Sequence, residues 1–283
     1  MKKFATVAAA LLLTMGIATA CGQKDQPAST NAAAPAADKK ETTSAAPNNP
    51  FKAKGKLVVG TSADYPPYEF HKLIDGKDQI VGFDIDIANA IAKDLGVEME
   101  IKDMKFDGLL PALDTGNIDM IAAGMSPTDD RKKNVDFTKI YYTAAQGVVV
   151  RAEDKDKFKT LDDLKGLKIG VQKGSIQEKI AQEQIANAQL KSLGKISDIV
   201  AELKSKRVDA IVVELPVAQN YVNKNKDLTI APAVPKDDTG GSALAFKKGI
   251  DPKVLEQVNK TLDKLNADKK IDEFVAKANE MVE

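Results

Sequence analysis

The sequence has one cysteine, Cys21, and one histidine, His71, among 283 residues. With that supply no disulfide framework forms and no Cys/His zinc site can be assembled. The histidine-based nucleophilic arrangements of most hydrolases lose their base. Net charge is missing as well, since 41 Lys+Arg balance 41 Asp+Glu. That removes the broad basic field on which nonspecific nucleic-acid binding relies, so no nucleic-acid partner is expected. Neither a metal nor another cofactor is expected. What remains, 43% hydrophobic and 29% charged, is the composition of a soluble globular protein long enough for one large domain or two small ones.

The first twenty residues read as an address. Lys2 and Lys3 precede an apolar run that ends near Ile17, short of the about 20 residues a bilayer-spanning helix needs. Ala18-Thr19-Ala20 then leads into Cys21, so residues 1–20 are expected to be a secretion signal. The segment Ala18-Thr19-Ala20-Cys21 resembles a lipobox. The resemblance implies that Cys21 is acylated and anchors the protein to the outer face of the membrane, extracellular or periplasmic. Residues 22–50 carry Ala, Pro, Thr, Asn, Ser and Lys but no large apolar side chain. They cannot offset the entropy of ordering and read as a flexible tether over 21–50, holding a folded body near a membrane-embedded partner.

From Leu57 onward strand and helix patterns alternate. Leu57-Val58-Val59-Gly60 reads as a buried strand, and Phe83, Ile87, Ile91 and Leu95 form the four-residue stripe of a helix ended by Gly96. A short helix over 109–113 feeds a strand at Ile118-Asp119-Met120-Ile121-Ala122. Later, a helix around 199–203 feeds Val208-Asp209-Ala210-Ile211-Val212-Val213. Helix, polar turn, Ile/Val-Asp and apolar strand therefore occur twice, which suggests equivalent elements of two βαβ lobes. Two closing helices carrying Val254, Val258, Leu262, Ile271 and Phe274 lack a lobe of their own and are assigned to the first. The expected α/β architecture is two-lobed. Lobe 1 spans 51–143 and 241–283, lobe 2 spans 144–240, and a two-segment hinge opens and closes a cleft.

The stretch Gly82-Phe83-Asp84-Ile85-Asp86-Ile87 resembles the signature of the bacterial extracellular solute-binding proteins of family 3. Tyr65-Pro66-Pro67-Tyr68-Glu69-Phe70, Ala123-Gly124-Met125-Ser126-Pro127-Thr128, Asp136-Phe137 and the block 209–216 follow the same family order. The resemblance implies a two-lobed, periplasmic-binding-protein-like α/β fold and a monomeric receptor that closes on a polar amino acid and delivers it to an ABC-transporter permease. It also implies a site. Arg131, with Gly124 and Ser126, would hold the ligand α-carboxylate, and a guanidinium fork suits that task. Ser175 and Ile176 open a helix whose positive end could meet the same group. Glu214 matches the ammonium-binding acid, one methylene longer than the usual Asp. Tyr65 and Phe106 match aromatics on opposite walls, and Ser62 and Gln172 match positions that read the side chain.

Asp64 and Glu69 are nearby acids that could balance a positive ligand end or merely cap turns, and His71 reads as a solvated loop residue. Lys173 is only a neighbour, so an acidic ligand would lack a second cation. Arginine, lysine or glutamine is expected above glutamate or aspartate. Two other functions fit the same scaffold. One is a cyclohexadienyl or arogenate dehydratase, which would need a general acid such as Glu214, Glu69 or Asp64. The other is a ligand sensor acting through a membrane partner.

Overall fold

A computed structural model describes residues 49–282, so the expected signal, Cys21 and almost all of the tether lie outside the described residues. The chain begins with α1 (Pro50–Lys54) and β1 (Lys56–Thr61), then β2 (Asp64–Tyr65), β3 (Glu69–Ile74) and β4 (Lys77–Val81). Next come α2 (Phe83–Leu95), β5 (Glu98–Asp103), α3 (Leu109–Asp114), β6 (Met120–Ile121), α4 (Asp129–Lys132) and β7 (Val135–Tyr142). A second group follows: β8 (Gln146–Arg151), β9 (Lys168–Gln172), α5 (Ile176–Gln184), β10 (Gln189–Leu193), α6 (Ile196–Lys204), β11 (Ala210–Glu214), α7 (Leu215–Lys224) and β12 (Leu228–Ala231). The chain ends with β13 (Ser242–Lys247), α8 (Pro252–Ala267) and α9 (Lys270–Val282).

Two five-stranded sheets result, ordered β5-β1-β6-β13-β7 and β10-β9-β11-β8-β12. In each, the first three strands run parallel and the last two antiparallel to their neighbours. The mixed pattern arises at the crossings: β7 hands the chain to β8 in the second sheet, and β12 returns it to β13 in the first. These two passages are the hinge of a two-lobed α/β fold. Helices α8 and α9 pack on α2, so the closing helices complete the first lobe.

The twofold sequence pattern has a physical basis. Asp119, just before β6, donates its amide to Val58 O at 2.7 Å and accepts Val58 N at 2.8 Å. Asp209, just before β11, makes the same pair with Lys168, at 2.7 and 3.0 Å. Each Asp thus locks the start of a crossover strand to its central neighbour. A glycine occupies the same place in both central strands, because a Cβ on Gly60 would meet Ile118 at 2.3 Å and one on Gly170 would meet Ile199 at 2.4 Å. Phe83, Ile87, Ile91 and Leu95 are fully buried, each contributing about 1.5–3 kcal/mol, and Gly96 ends α2 in the left-handed conformation at φ 70°.

One local expectation changes. His71 is no loop residue: it sits on β3 of a hairpin turned by Asp75-Gly76, both at positive φ (51° and 75°), as a type I′ turn requires. Its Nδ1 lies 2.8 Å from Asp78 across the hairpin.

Candidate functional site

Between the two lobes lies a narrow, nearly filled cleft. Lobe 1 lines it with Tyr65, Phe106, Ala123, Gly124, Ser126 and Arg131, and lobe 2 with Gln172, Ser175, Ile176 and Gln177. Most of these follow the carboxyl ends of β5, β6 and β9, where open α/β sheets leave a crevice.

Arg131 is brought there by α4, whose cap Thr128 accepts the Arg131 amide at 3.3 Å. The side chain is buried, 9% exposed. Nη1 donates to Ser126 O at 2.8 Å, and Nη2 crosses the cleft to Gly174 O at 2.9 Å. The Phe106 ring centroid lies 5.5 Å from Cζ. Burial alone lowers its pKa, to about 10, so it stays protonated at neutral pH. No carboxylate of the described residues pairs with it. A buried cation that meets only carbonyls is poised to accept an anion.

Opposite it, Ser175 caps α5 by accepting Glu178 N at 3.3 Å, and Glu178 reaches back to Gly174 N at 2.8 Å. The capping rigidly directs the positive end of α5 toward the cavity, which is why Gly174-Ser175-Ile176-Gln177 lines it. Gln177 was not among the expected residues. Its Nε2 donates to Gln146 Oε1 at 3.0 Å, and Gln146 donates to Asp237 at 2.9 Å, linking the cavity wall to both hinge passages. A polar residue two positions past the cap, in the turn that faces the cleft, was the available signal. Gln172 is buried with Nε2 3.5 Å from Gly194 O.

Gly124 adopts φ +55°, and a Cβ there would contact the Tyr65 and Tyr68 rings at 3.4 Å. Its amide is engaged by Asp84 Oδ2 at 2.8 Å, the same oxygen that accepts Tyr141 OH at 2.7 Å. Gly124 therefore offers a ligand its carbonyl and its lack of a side chain, while Asp84 of the Gly82–Ile87 motif serves as a support behind the loop. Burial, first of all, raises the Asp84 pKa to about 6.

Of the ten residues expected to bind ligand, Ser62 and Glu214 do not line the cavity. Ser62 is fully buried and its hydroxyl has no partner. Glu214 ends β11, 3% exposed, with its carboxylate accepting the Tyr68 hydroxyl. Burial raises its pKa to about 8. The two acids considered for a positive ligand end have other surroundings. Asp64 Oδ2 accepts Ser197 N and Oγ of the opposite lobe at 2.8 and 3.0 Å. Glu69 is buried beside Asp84, and burial followed by the charge of Asp84 pushes its pKa well above the usual range. Lys173 is exposed and paired with Asp107 at 3.0 Å, outside the cavity. No cluster of three or more metal-ligating side chains occurs among the described residues.

The cavity thus sets a buried cation without a carboxylate partner against a helix N-terminus, with Tyr65 and Phe106 in its wall. Residues 57–280 match the family described as bacterial extracellular solute-binding proteins, family 3. The chain belongs to that family. Among family 3 relatives, the arginine-binding extracellular protein ArtP of Bacillus subtilis is 42% identical over 216 residues, covering 75% of this chain and 81% of ArtP. A probable histidine-binding protein of Campylobacter jejuni is 38% identical over 221 residues, 78% of this chain and 84% of the relative. The amino-acid ABC transporter substrate-binding protein AbpA of Streptococcus pneumoniae, solved with L-arginine, superposes with a TM-score of 0.79 at 40% identity. The match covers 82% of this chain and 98% of AbpA. An ancestral amino-acid-binding protein described as a precursor of cyclohexadienyl dehydratase matches with a TM-score of 0.72 at 36% identity, over 80% and 96% of the two chains.

Proposed function

We propose that this family 3 protein is the extracellular receptor of an amino-acid ABC importer. Its lobes close on a cationic or amide amino acid, arginine first, and present it to a membrane permease. The carrying observation is Arg131, a buried protonated guanidinium with two carbonyl contacts and, among the described residues, no counter-ion. A ligand carboxylate supplies the missing charge in bidentate geometry, helped by the N-terminus of α5. The ligand ammonium takes the place of the Tyr68 hydroxyl at Glu214, which must then give up its proton. Tyr65 and Phe106 hold a flat side chain between them.

Charge argues for the side-chain class. Glu214 and Glu69 are buried, and Asp64 half-buried, beside the Tyr65 wall, whereas Lys173 is already paired outside. A second carboxylate would find no free cation among the cavity-lining residues, whereas a guanidinium or amide needs none. Relatives that bind arginine and histidine agree in class. The reading extends to Cys21 as a lipid anchor and to residues 22–50 as its tether.

One observation favours the dehydratase reading: a Glu214 raised to about 8 is protonated at neutral pH, as a general acid must be. Calorimetric titration of the protein with the common amino acids, alongside incubation with prephenate and arogenate, decides between them. Saturable binding of L-arginine with both organic acids unchanged supports the receptor. Turnover of either acid overturns it.

A further inference from the structure

The lobes also touch where no ligand is involved. At the start of α6 in lobe 2, the N-cap residue is Lys195, whose side chain supplies no capping hydrogen bond. The cap comes from the other lobe: Asp64, at the head of β2, accepts both the Ser197 amide (2.8 Å) and the Ser197 hydroxyl (3.0 Å). Tyr221 of α7 donates its hydroxyl to the Asp64 carbonyl at 2.8 Å. Lys195 itself reaches Asp103, at the end of β5, at 2.9 Å. Between these, Phe106 N lies 3.4 Å from Gly194 O, and the Lys105 stem lies so close to Gly194 that a Cβ there would sit 2.7 Å from it. These contacts can exist only when the lobes are together.

We propose that Asp64 is a positioning residue that clasps the closed state by capping α6 across the cleft, and so sets how long a bound amino acid is retained. The coupling to the site is covalent and short. Asp64 precedes the cavity residue Tyr65 on β2, and Gly194 and Lys195 face Phe106 and Asp103. Opening leaves the start of α6 without its cap, which disfavours the open state. The clasp therefore acts on ligand release, which requires opening, and leaves ligand entry into the open cleft unaffected. The residence-time claim rests on the receptor reading above, whereas the lobe contact itself does not.

The test compares wild type with Asp64→Ala, Asp64→Asn, Ser197→Ala and the Asp64→Ala/Ser197→Ala pair. Release of tritiated L-arginine is measured in a chase, association by mixing, and the ligand-free radius of gyration by small-angle scattering. Asp64→Ala is expected to speed release about tenfold with association unchanged. Asparagine, itself a good cap, should restore most of the retention. The double variant should release no faster than Asp64→Ala, because both changes remove one contact, and ligand-free Asp64→Ala should expand. If Asp64→Ala does not fold, Ser197→Ala and Lys195→Ala carry the comparison. Release changed by less than about threefold, or single effects that add in the double variant, overturns the clasp. If wild type binds no arginine, the receptor reading falls while the scattering comparison still decides the clasp: expansion supports it and an unchanged radius overturns it.

Discussion

Replacing Arg131 by methionine keeps the length of the side chain and deletes the charge that faces the cavity. In the complex, the ligand carboxylate would then be buried against carbonyls and a helix end alone, and truncating one member of a buried ion pair costs about 3–5 kcal/mol. At about 1.4 kcal/mol per decade, affinity for L-arginine should fall by roughly two to three and a half decades. The ligand-free protein should respond quite differently. It loses two charge-assisted bonds, to Ser126 O and Gly174 O, but is relieved of desolvating a guanidinium that burial already holds near a pKa of about 10. These oppose each other, so the ligand-free melting temperature should move by only a few degrees while the arginine-induced rise disappears. Calorimetry and thermal denaturation with and without 1,000-fold excess ligand read both halves; that excess relative to Kd raises wild-type stability by about 4 kcal/mol. A folded Arg131→Met protein with affinity within tenfold of wild type would refute the placement of the carboxylate.

Three further outcomes follow from the same structure. Glu214 titrates near 8 when buried without ligand, so pairing it with an ammonium should release a proton at pH 7; affinity should rise with pH up to about 8 and level off above. Calorimetry in buffers of different ionisation enthalpy measures the release, and Glu214→Gln should abolish it. Asp84 is raised from 3.8 to about 6, so the folded state holds the proton more tightly: its contribution is full below about pH 4 and is lost as pH climbs through 6, about 3 kcal/mol in all. Urea unfolding from pH 4 to 7 should show a shallower decline for Asp84→Asn, and an unchanged slope would count against the assignment. Cys21→Ala should shift the protein from the membrane fraction to the soluble fraction with arginine affinity unaltered, and membrane retention would contradict the anchor.

The sequence displays its lobes where burial is strongest. Central strands β1, β9 and β11 are covered on both faces and read as continuous apolar runs, and the α2 stripe repeats every four residues because one face of that helix is core. Strands β5 and β10 were invisible for the opposite reason: as sheet edges they carry Glu98, Glu100 and Lys102, or Gln189 and Lys191, and their partners are distant in sequence. β12, Leu228–Ala231, is likewise short and at an edge. The Asp75-Gly76 pair marks the β3–β4 hairpin turn locally. At the site, residues named from the motif order mostly converge, because loops after parallel strands must gather at one end of a sheet. The charge state of Glu214, the engagement of the Gly124 amide by Asp84 and the partner of Asp64 all depend on contacts between segments 40 to 146 positions apart, which no local pattern encodes.

The most direct measurement is a crystal structure of the protein grown with L-arginine. It should show the α-carboxylate on the Arg131 guanidinium near the N-terminus of α5, the ammonium on Glu214, and the ligand guanidinium lying flat between Tyr65 and Phe106. A ligand bound in the reverse sense, with its guanidinium at Glu214 and its carboxylate away from Arg131, would contradict the account.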